Sequence, residues 1–157
     1  MISDYAVGLA VPADAHRIAA LSRDSIEQGL EWSWTPRRVQ KSVADASTNV
    51  AVARAGDRFV GFAIMKYGDE EAHLLLLAVQ AAHRRRGVGS ALMSWLEATA
   101  RVAGIGSISL EARATNAAAR AFYRELGYRE VGLLEGYYRG VEDAVRIAKD
   151  LRHHHGA

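Results

Sequence analysis

One segment constrains this chain more than any other: an apolar run, residues 72–79, leads into three consecutive arginines and then into an amphipathic pattern. The run is too short for a typical helix and is rich in leucine, which predicts a strand buried on both faces. Apolar residues recur at spacings of three and four from Val88, which predicts a helix that begins near Gly87 and stops at Gly104. The first N–H groups of a helix lack intrahelical acceptors, so the segment predicts an anion site.

The residues at this junction favour a pyrophosphate or a phosphorylated cofactor as the anion. Arginines supply fixed positive charge, and glycines let a ligand approach the backbone closely. The residues that we expect to bind the phosphates are Arg84, Arg85, Arg86, Gly87, Val88, Gly89 and Ser90.

Three other interpretations of the junction compete with this one. Three arginines beside a helix are often only a solvated face. A P-loop requires a lysine and a hydroxyl after its last glycine, but Ser90 and Ala91 follow Gly89 here, which argues against it. A dinucleotide-binding fingerprint requires a third glycine where Leu92 stands, although Glu111 lies at about the distance expected of a ribose-binding carboxylate. The fingerprint therefore stays an alternative.

The junction resembles the phosphate-binding loop of the GCN5-related N-acetyltransferases (GNAT). Residues 84–89, Arg-Arg-Arg-Gly-Val-Gly, fit the Arg/Gln-x-x-Gly-x-Gly/Ala signature with which these enzymes hold the pyrophosphate of acetyl-CoA. Residues 109–128 are similar to the next strand and helix of the family, with Asn116 and Tyr123 in register. The resemblance extends over residues 5–151, and it implies an N-acetyltransferase that uses acetyl-CoA as its acyl-donor cosubstrate.

Within the family the chain is most similar to the RimI-type protein N-terminal acetyltransferases. The shared motifs are Leu-Glu-x-Arg at residues 110–113, a tyrosine pair at 137–138 and Glu-Asp-Ala at 142–144. Those enzymes commonly carry an arginine just before the tyrosine pair, whereas residues 134–136 are Leu-Glu-Gly here. The likeness implies a protein N-terminal α-amine as acceptor. Glu135 leaves a small cationic amine, such as a polyamine or an aminoglycoside, as the alternative.

The order of predicted elements agrees with that fold. We expect an α/β protein with the GNAT fold, whose mixed, mostly antiparallel twisted sheet of about six to seven strands is flanked by about four helices. Strands are predicted over residues 5–11, 49–54, 59–67, 72–79, 107–112, 128–133 and 143–149. Helices are predicted over residues 12–28, from Pro36 after the cap Thr35, from Gly87, and over residues 116–126. Residues 1–151 are predicted to form a single acetyltransferase domain, followed by a histidine-containing tail, residues 152–157.

Composition narrows the class of protein. A chain of 157 residues, half of them apolar, suffices for one domain with a core. The lack of cysteine excludes disulfides, thiolate zinc sites and a cysteine nucleophile. A net charge of +2 does not suggest nucleic acid as a partner, and we expect a cytoplasmic protein with no metal and no membrane contact. His153, His154 and His155 are better explained as a solvated or added tail than as a metal site.

Direct acetyl transfer needs a neutral amine, a stabilised oxyanion and a proton for the departing thiolate. The RimI resemblance assigns the base to Glu111 and the acid to Tyr123. Burial raises the pKa of a carboxyl group and improves it as a base, whereas a nearby arginine, such as Arg113 or Arg84, has the opposite effect. The alternatives are a salt-bridged edge glutamate and a structural tyrosine packed beside Phe122.

The resemblance also implies contacts to the rest of the acyl donor. Backbone N–H groups at the end of the central strand are expected to orient the pantetheine and to polarise the thioester carbonyl, where strands four and five splay apart. The residues concerned are Leu77, Ala78 and Val79. Asn116 is a preferred type of helix N-cap and, by the resemblance, also contacts the cofactor. Glu142 and Asp143 are weaker catalytic candidates.

Aromatic residues are the candidates for the acceptor site. Trp32 and Trp34 lie between the first two helices, in the loop that covers the acceptor in this family, and are equally well explained as core anchors. Tyr137 and Tyr138 match the pair that borders the peptide groove of RimI-type enzymes.

A non-catalytic acyl-CoA-binding module is the alternative to an enzyme. Such a module needs neither a catalytic base nor a catalytic acid, so Glu111 and Tyr123 distinguish the two. A homodimer is left open.

Overall fold

The computed structural model describes residues 5–152. This part of the chain contains seven strands and four α-helices. The strands are β1 (Ala6–Leu9), β2 (Thr48–Ala55), β3 (Arg58–Tyr67), β4 (Glu71–Val79), β5 (Ser107–Arg113), β6 (Arg129–Tyr138) and β7 (Glu142–Asp150). The helices are α1 (Ala15–Ser25), α2 (Pro36–Ala44), α3 (Val88–Val102) and α4 (Ala117–Glu125). The histidine-containing tail, at residues 153–155, lies outside the described residues.

The chain divides into two compact units. The first comprises the residues up to Lys66 together with Leu74–Thr99, and the second comprises Tyr67–His73 and the residues from Ala100 onward. β4 therefore contributes its first three residues to the second unit and the remainder to the first. The prediction of a single domain over residues 1–151 stays a prediction.

The first unit is built on the strand order β1-β2-β3-β4. β2 pairs antiparallel with both β1 and β3. Its core contains side chains from α1, α2 and the strands, because each of these elements carries an apolar face. The largest members of this core cluster are Ile18, Trp34, Phe59, Phe62, Ile64 and Leu76. Thr35 caps α2 as predicted, since its side-chain oxygen accepts a hydrogen bond from the Arg38 N–H at 3.4 Å.

The second unit is built on the order β4-β5-β7-β6. β5 runs parallel to β4, as the predicted helical crossover requires, and their register extends from Glu71↔Ser107 to His73↔Ser109. β5 pairs antiparallel with β7 along its whole length, whereas its register with β4 covers its first three residues. The later residues of β5, including Glu111, are therefore positioned by β7.

Two sequence predictions differ clearly from the structure in extent. The helix predicted over residues 12–28 is a short 3₁₀ turn at Pro12–Asp14 followed by α1, which ends at Ser25. The strand predicted over residues 128–133 continues to Tyr138. One irregularity in its register with β7 lies between Glu130 and Gly132, and a second, between Leu134 and Tyr138, accommodates the Leu-Glu-Gly segment. β6 is also largely exposed along its length.

The prediction that β4 is buried on both faces was wrong. Its residues alternate between buried and partly exposed, so that Leu74, Leu76 and Ala78 are buried, whereas Leu75 and Leu77 are not fully covered. An uninterrupted apolar run does not by itself reveal that one face of a strand is left for another contact. The other predicted strands, the helix from Gly87 and the mostly antiparallel sheet are confirmed.

None of the helices that the structure describes is both long enough and apolar enough to cross a membrane.

Candidate active site

The first unit contains the predicted phosphate-binding junction at the start of α3. The first intrahelical hydrogen bond of α3 runs from the Ala91 N–H to the Gly87 carbonyl, at 3.0 Å. The N–H groups of Val88, Gly89 and Ser90 therefore precede the helical hydrogen-bond series and lack an intrahelical acceptor. Positive charge from Arg85 and from Arg86 lies in the preceding turn, where both side chains are exposed. This combination of N–H donors and arginines fits a pyrophosphate.

Arg84 differs from its two neighbours, because its guanidinium contacts the protein itself. Its Nε donates to the Val79 carbonyl at 3.0 Å, and one terminal nitrogen donates to the Ser25 hydroxyl at 3.3 Å. Arg84 thus joins the end of β4, the end of α1 and the phosphate-binding turn. We expect it to fix the turn, and Arg85 and Arg86 to supply charge to a ligand.

The backbone of the turn is strained at Arg85. Its φ of 63° lies in the left-handed region, which residues with a side chain seldom adopt, and Gly87 follows with a φ of 83°. The sequence predicted glycine's role at Gly87, but it gave no sign that an arginine would adopt the left-handed conformation two residues earlier.

A glycine that sequence reasoning missed supports the end of β4. A Cβ atom added to Gly61 on β3 would lie 2.9 Å from the Ala78 carbonyl oxygen and 3.4 Å from both the Val79 Cα and a Val88 methyl group. The missing side chain therefore allows β3 to approach the backbone of Ala78 and Val79, two of the three residues that we predicted to hold the pantetheine, and also the first residue of α3. An isolated glycine inside a strand is the sequence signal of such a close approach.

The second unit contains a cluster of polar side chains around Glu111 on β5. The Glu111 side chain is only 7% exposed, and Oε1 lies 2.6 Å from Nε2 of His73 on β4. Oε2 accepts a hydrogen bond from Nε of Arg146 on β7 at 3.2 Å. The Tyr137 hydroxyl donates to Oε1 over a longer distance of 3.4 Å. The candidate base is thus held by an imidazole, a guanidinium and a phenol.

The partners of Glu111 are not the arginines that the sequence suggested. Arg113 pairs with Glu142 at 3.0 Å, and its guanidinium lies 5.5 Å from the centre of the Tyr138 ring. Sequence reasoning missed both His73 and Arg146. A signal for His73 existed, because it is the one polar residue within the apolar run at residues 72–79, and parallel pairing places it near β5. Arg146 lies directly opposite Glu111 in the β5–β7 register, which sequence alone did not provide.

The predicted tyrosine pair adjoins this cluster. The rings of Tyr137 and Tyr138 meet edge to face with centroids 4.9 Å apart. Burial raises the pKa of Tyr137, with a further contribution from the Glu111 charge. Burial also raises the pKa of Tyr138, to about 12, and the neighbouring Tyr137 and Glu111 add to the effect. Both phenols therefore keep their protons at neutral pH and act as hydrogen-bond donors.

Tyr123, the candidate acid, is almost fully buried on α4. Its ring packs edge to face against Phe122, as the structural alternative predicted, and against Tyr128, with centroids 4.9 and 5.7 Å away. Burial raises the pKa of the Tyr123 phenol well above its usual value. Asn116 caps the same helix, because its side-chain oxygen accepts a hydrogen bond from the Ala119 N–H at 3.0 Å. The capping role of Asn116 is therefore confirmed, and its cofactor contact stays a prediction.

The two tryptophans of the α1–α2 loop have different environments. Trp34 is 8% exposed, belongs to the core cluster and has the Arg38 guanidinium 3.8 Å from its ring centre. Trp32 is 40% exposed, with the Arg23 guanidinium 5.3 Å from its ring centre. Trp34 is therefore a core anchor, and Trp32 is the one of the pair whose ring is accessible to a ligand.

Comparison with known proteins decides the family. A model of the acetyltransferase (GNAT) family matches residues 16–128, which is more than half of the chain. This chain belongs to the GNAT family. It is an N-acetyltransferase, acetyl-CoA is its acyl donor, and the expectation of an enzyme is confirmed.

Several relatives of known name align with most of this chain. N-alpha-acetyltransferase RimI of Mycobacterium tuberculosis is 33% identical over 151 residues, which cover 92% of this chain and 91% of that protein. The [ribosomal protein bS18]-alanine N-acetyltransferase of Escherichia coli is 32% identical over 118 residues, which cover 73% and 79% of the two chains. The crystal structure of Ard1 from Thermoplasma volcanium superposes with a TM-score of 0.84 at 27% identity, over 94% of this chain and 97% of that one. The GNAT fold and the likeness to RimI are thereby confirmed.

Proposed function

We propose that this acetyltransferase transfers the acetyl group of acetyl-CoA to the α-amine of a protein or peptide N-terminus. The observation that carries the proposal is the cluster around Glu111, in which a buried carboxylate is bonded to His73 and Arg146 and approached by Tyr137 of the tyrosine pair. The names of the relatives from Mycobacterium tuberculosis and Escherichia coli support an N-terminal amine as the acceptor.

Glu111 and His73 together form the base in this proposal. A carboxylate has no proton to donate, so Nε2 of His73 carries the proton shared with Oε1 of Glu111 when the carboxylate is ionised. The pair then takes one proton from the ammonium group of the acceptor, which leaves an imidazolium beside a carboxylate. His73 is more exposed than Glu111 and returns this proton to water. Arg146 keeps the carboxylate oriented throughout.

The neutral amine then attacks the thioester. The amine nitrogen bonds to the carbonyl carbon, the C–S bond breaks, and the thiolate of CoA takes up a proton. Tyr123 donates a hydrogen bond to the departing sulfur and, on completion, a proton. A thiol has a reference pKa of about 8.5, below that of a phenol, so transfer from Tyr123 is uphill and is completed when the tyrosine recovers a proton from water. The raised pKa of Tyr123 ensures that it enters each cycle protonated.

The donor is held by backbone groups and charge. The N–H groups of Val88, Gly89 and Ser90 bind the pyrophosphate, with Arg85 and Arg86 as counter-charges and Arg84 as the support of the turn. The backbone of Leu77, Ala78 and Val79 orients the pantetheine.

The ordinary pKa of the acceptor also favours an N-terminal amine. An α-amine has a reference pKa of about 7.7 to 8.0, whereas that of a lysine side chain is near 10.4, so the base removes a proton more easily from the α-amine.

A small cationic amine is the second candidate for the acceptor. It is favoured by Glu135, which is exposed on β6 in the Leu-Glu-Gly segment that precedes the tyrosine pair, whereas RimI-type enzymes commonly carry an arginine just before that pair. Asp143 adds a second carboxylate near this point, because it accepts a hydrogen bond from the Gly136 N–H at 2.9 Å. Two carboxylates beside the Tyr137–Tyr138 pair would attract a polyamine or an aminoglycoside.

Competition between acceptors tests the proposal. A short-peptide library with free N-termini is incubated with polyamines and aminoglycosides in one assay that measures the release of CoA. We expect the specificity constant for peptides to exceed that for the small amines by at least about tenfold, a difference of 1.4 kcal/mol in transition-state stabilisation. A tenfold preference for the small amines would overturn the N-terminal assignment while leaving acetyl transfer intact.

A cytoplasmic location, a homodimer and a single domain over residues 1–151 stay predictions.

A further inference from the structure

A buried carboxylate, Glu27, lies in the loop between α1 and α2. Its exposure is 6%, and both of its oxygens are engaged. Oε1 accepts hydrogen bonds from the Ser33 N–H at 2.7 Å, the Ser33 hydroxyl at 3.1 Å and the Trp34 N–H at 3.2 Å. Oε2 accepts a hydrogen bond from the Ser22 hydroxyl at 2.8 Å. Hydrogen bonds to an ionised acceptor are stronger than those between neutral groups.

These bonds close a loop at its base. Ser22 lies in the last turn of α1, whereas Ser33 and Trp34 directly precede the Thr35 cap of α2. Glu27 therefore joins the two ends of the segment formed by residues 28–32, and Trp34 fixes the same end in the core. The exposed Trp32 is one residue away from this closure. All of these hydrogen bonds lie within the protein, so the closure itself does not require a bound ligand.

We infer that Glu27 is the positioning residue of the acceptor loop, which holds the exposed Trp32 ready to select the acceptor. The inference rests on the proposed function, because it takes Trp32, which the sequence analysis predicted as a candidate for the acceptor site, as a contact of the acceptor amine. Glu27 itself is buried and acts through the loop. A preformed loop recognises the acceptor without first becoming ordered, and loss of the closure weakens recognition of the acceptor but not of acetyl-CoA.

The kinetic test compares three variants. Glu27→Ala removes the closure, and we expect the KM of the acceptor to rise about tenfold while the KM of acetyl-CoA changes less than about twofold. Glu27→Gln restores the closure, because an amide oxygen accepts from both N–H groups and its NH₂ group donates to Ser22; its acceptor KM should stay within about threefold of the parent value. Asp14→Ala is the matched control, since Asp14 is another buried carboxylate, bonded to the Val11 N–H and to Arg54 at the other end of α1.

Two further measurements make the test independent of a general loss of stability. Amide hydrogen exchange at Ser33 and Trp34 should accelerate about tenfold in Glu27→Ala and not in Asp14→Ala, because each amide loses its acceptor. In addition, Trp32→Ala should raise the acceptor KM, and combining it with Glu27→Ala should add little, since both act on the same contact.

Different results would overturn the role of Glu27 and the proposed N-terminal acceptor. An acceptor KM in Glu27→Ala equal to that of Asp14→Ala, or unchanged exchange at Ser33 and Trp34, overturns the role of Glu27. If the parent protein acetylates small amines in place of peptides, the proposed function is wrong. The same comparison of variants, measured with the preferred small amine, then decides the role of Glu27.

Discussion

Nε2 of His73 lies 2.6 Å from Oε1 of Glu111, so the candidate base of this enzyme is paired with an imidazole. The two residues differ in exposure, because the Glu111 side chain is 7% exposed and that of His73 is 39% exposed. Arg146 and Tyr137 approach the same carboxylate from β7 and β6. The carboxylate is therefore held in place, and the imidazole is the member of the pair that can exchange protons with solvent.

The first prediction concerns His73→Gln, which keeps a hydrogen-bond donor to Glu111 but cannot take up the proton of the acceptor amine. Because general-base catalysis contributes about a hundredfold or more, we expect kcat to fall about a hundredfold, while the Kd of CoA changes little. The exposed His16→Gln on α1 is the control and should retain the kcat of the parent. A His73→Gln variant with the kcat of the parent would limit the ring to a structural role.

Tyr123→Phe tests the acid. It removes one hydroxyl from a ring that stays packed against Phe122 and Tyr128, so kcat should fall about a hundredfold while the Kd of CoA changes little. Because burial raises the pKa of Tyr123, the parent enzyme should show no loss of activity from ionisation of this phenol near pH 10, where an exposed tyrosine would lose its proton. Tyr128→Phe, in the same cluster, is the control. Equal kcat values for the two variants would argue against Tyr123 as the acid.

The phosphate site is tested by CoA titration calorimetry. Gly89→Val introduces a side chain beside the N–H groups that we predict to bind the pyrophosphate, and Arg85→Ala removes a charge, so each should weaken CoA binding by about tenfold or more. Lys41→Ala, which removes an exposed charge from α2, should bind CoA like the parent. Folded Gly89→Val and Arg85→Ala variants with parent-like affinity would show that the phosphates bind elsewhere.

Gly61→Ala tests the support of β4. The added Cβ would lie 2.9 Å from the Ala78 carbonyl oxygen, so the strands must shift, and we expect a loss of about 1–3 kcal/mol in the free energy of unfolding. Gly8→Ala on β1 is the matched control, because its Cβ would meet nothing within 4 Å. Urea unfolding of both variants makes the comparison. A Gly61→Ala variant as stable as Gly8→Ala would mean that β3 and β4 tolerate the side chain.

Sequence reasoning succeeded where the cause is local. The Thr35–Pro36 start of α2, the Asn116 cap of α4 and the start of α3 after Gly87 each depend on residues within one turn, and each was predicted. The early end of α1 was missed, because it accompanies the bonds of Glu27 to Ser33 and Trp34, six and seven residues further along the chain.

The contacts of the candidate site were harder to predict, because they depend on register. Glu111 was identified by its motif, but its partners come from two other strands, and the residue opposite it is fixed by the β5–β7 alignment. A shift of one residue would turn Arg146 to the other face. The choice between Arg113 and Arg146 as partner therefore required the structure. The same holds for Trp32 and Trp34, whose identical residue types gave no reason to expect one in the core and the other exposed.

The left-handed backbone of Arg85 has a consequence for protein engineering. A residue with a side chain pays about 1–2 kcal/mol for a φ of 63°, and glycine would not. A library at position 85 selected for thermal stability alone should therefore enrich glycine and asparagine, whereas one selected for activity at low acetyl-CoA concentration should return arginine. Divergent outcomes of the two selections would reveal a position at which folding and catalysis favour different amino acids.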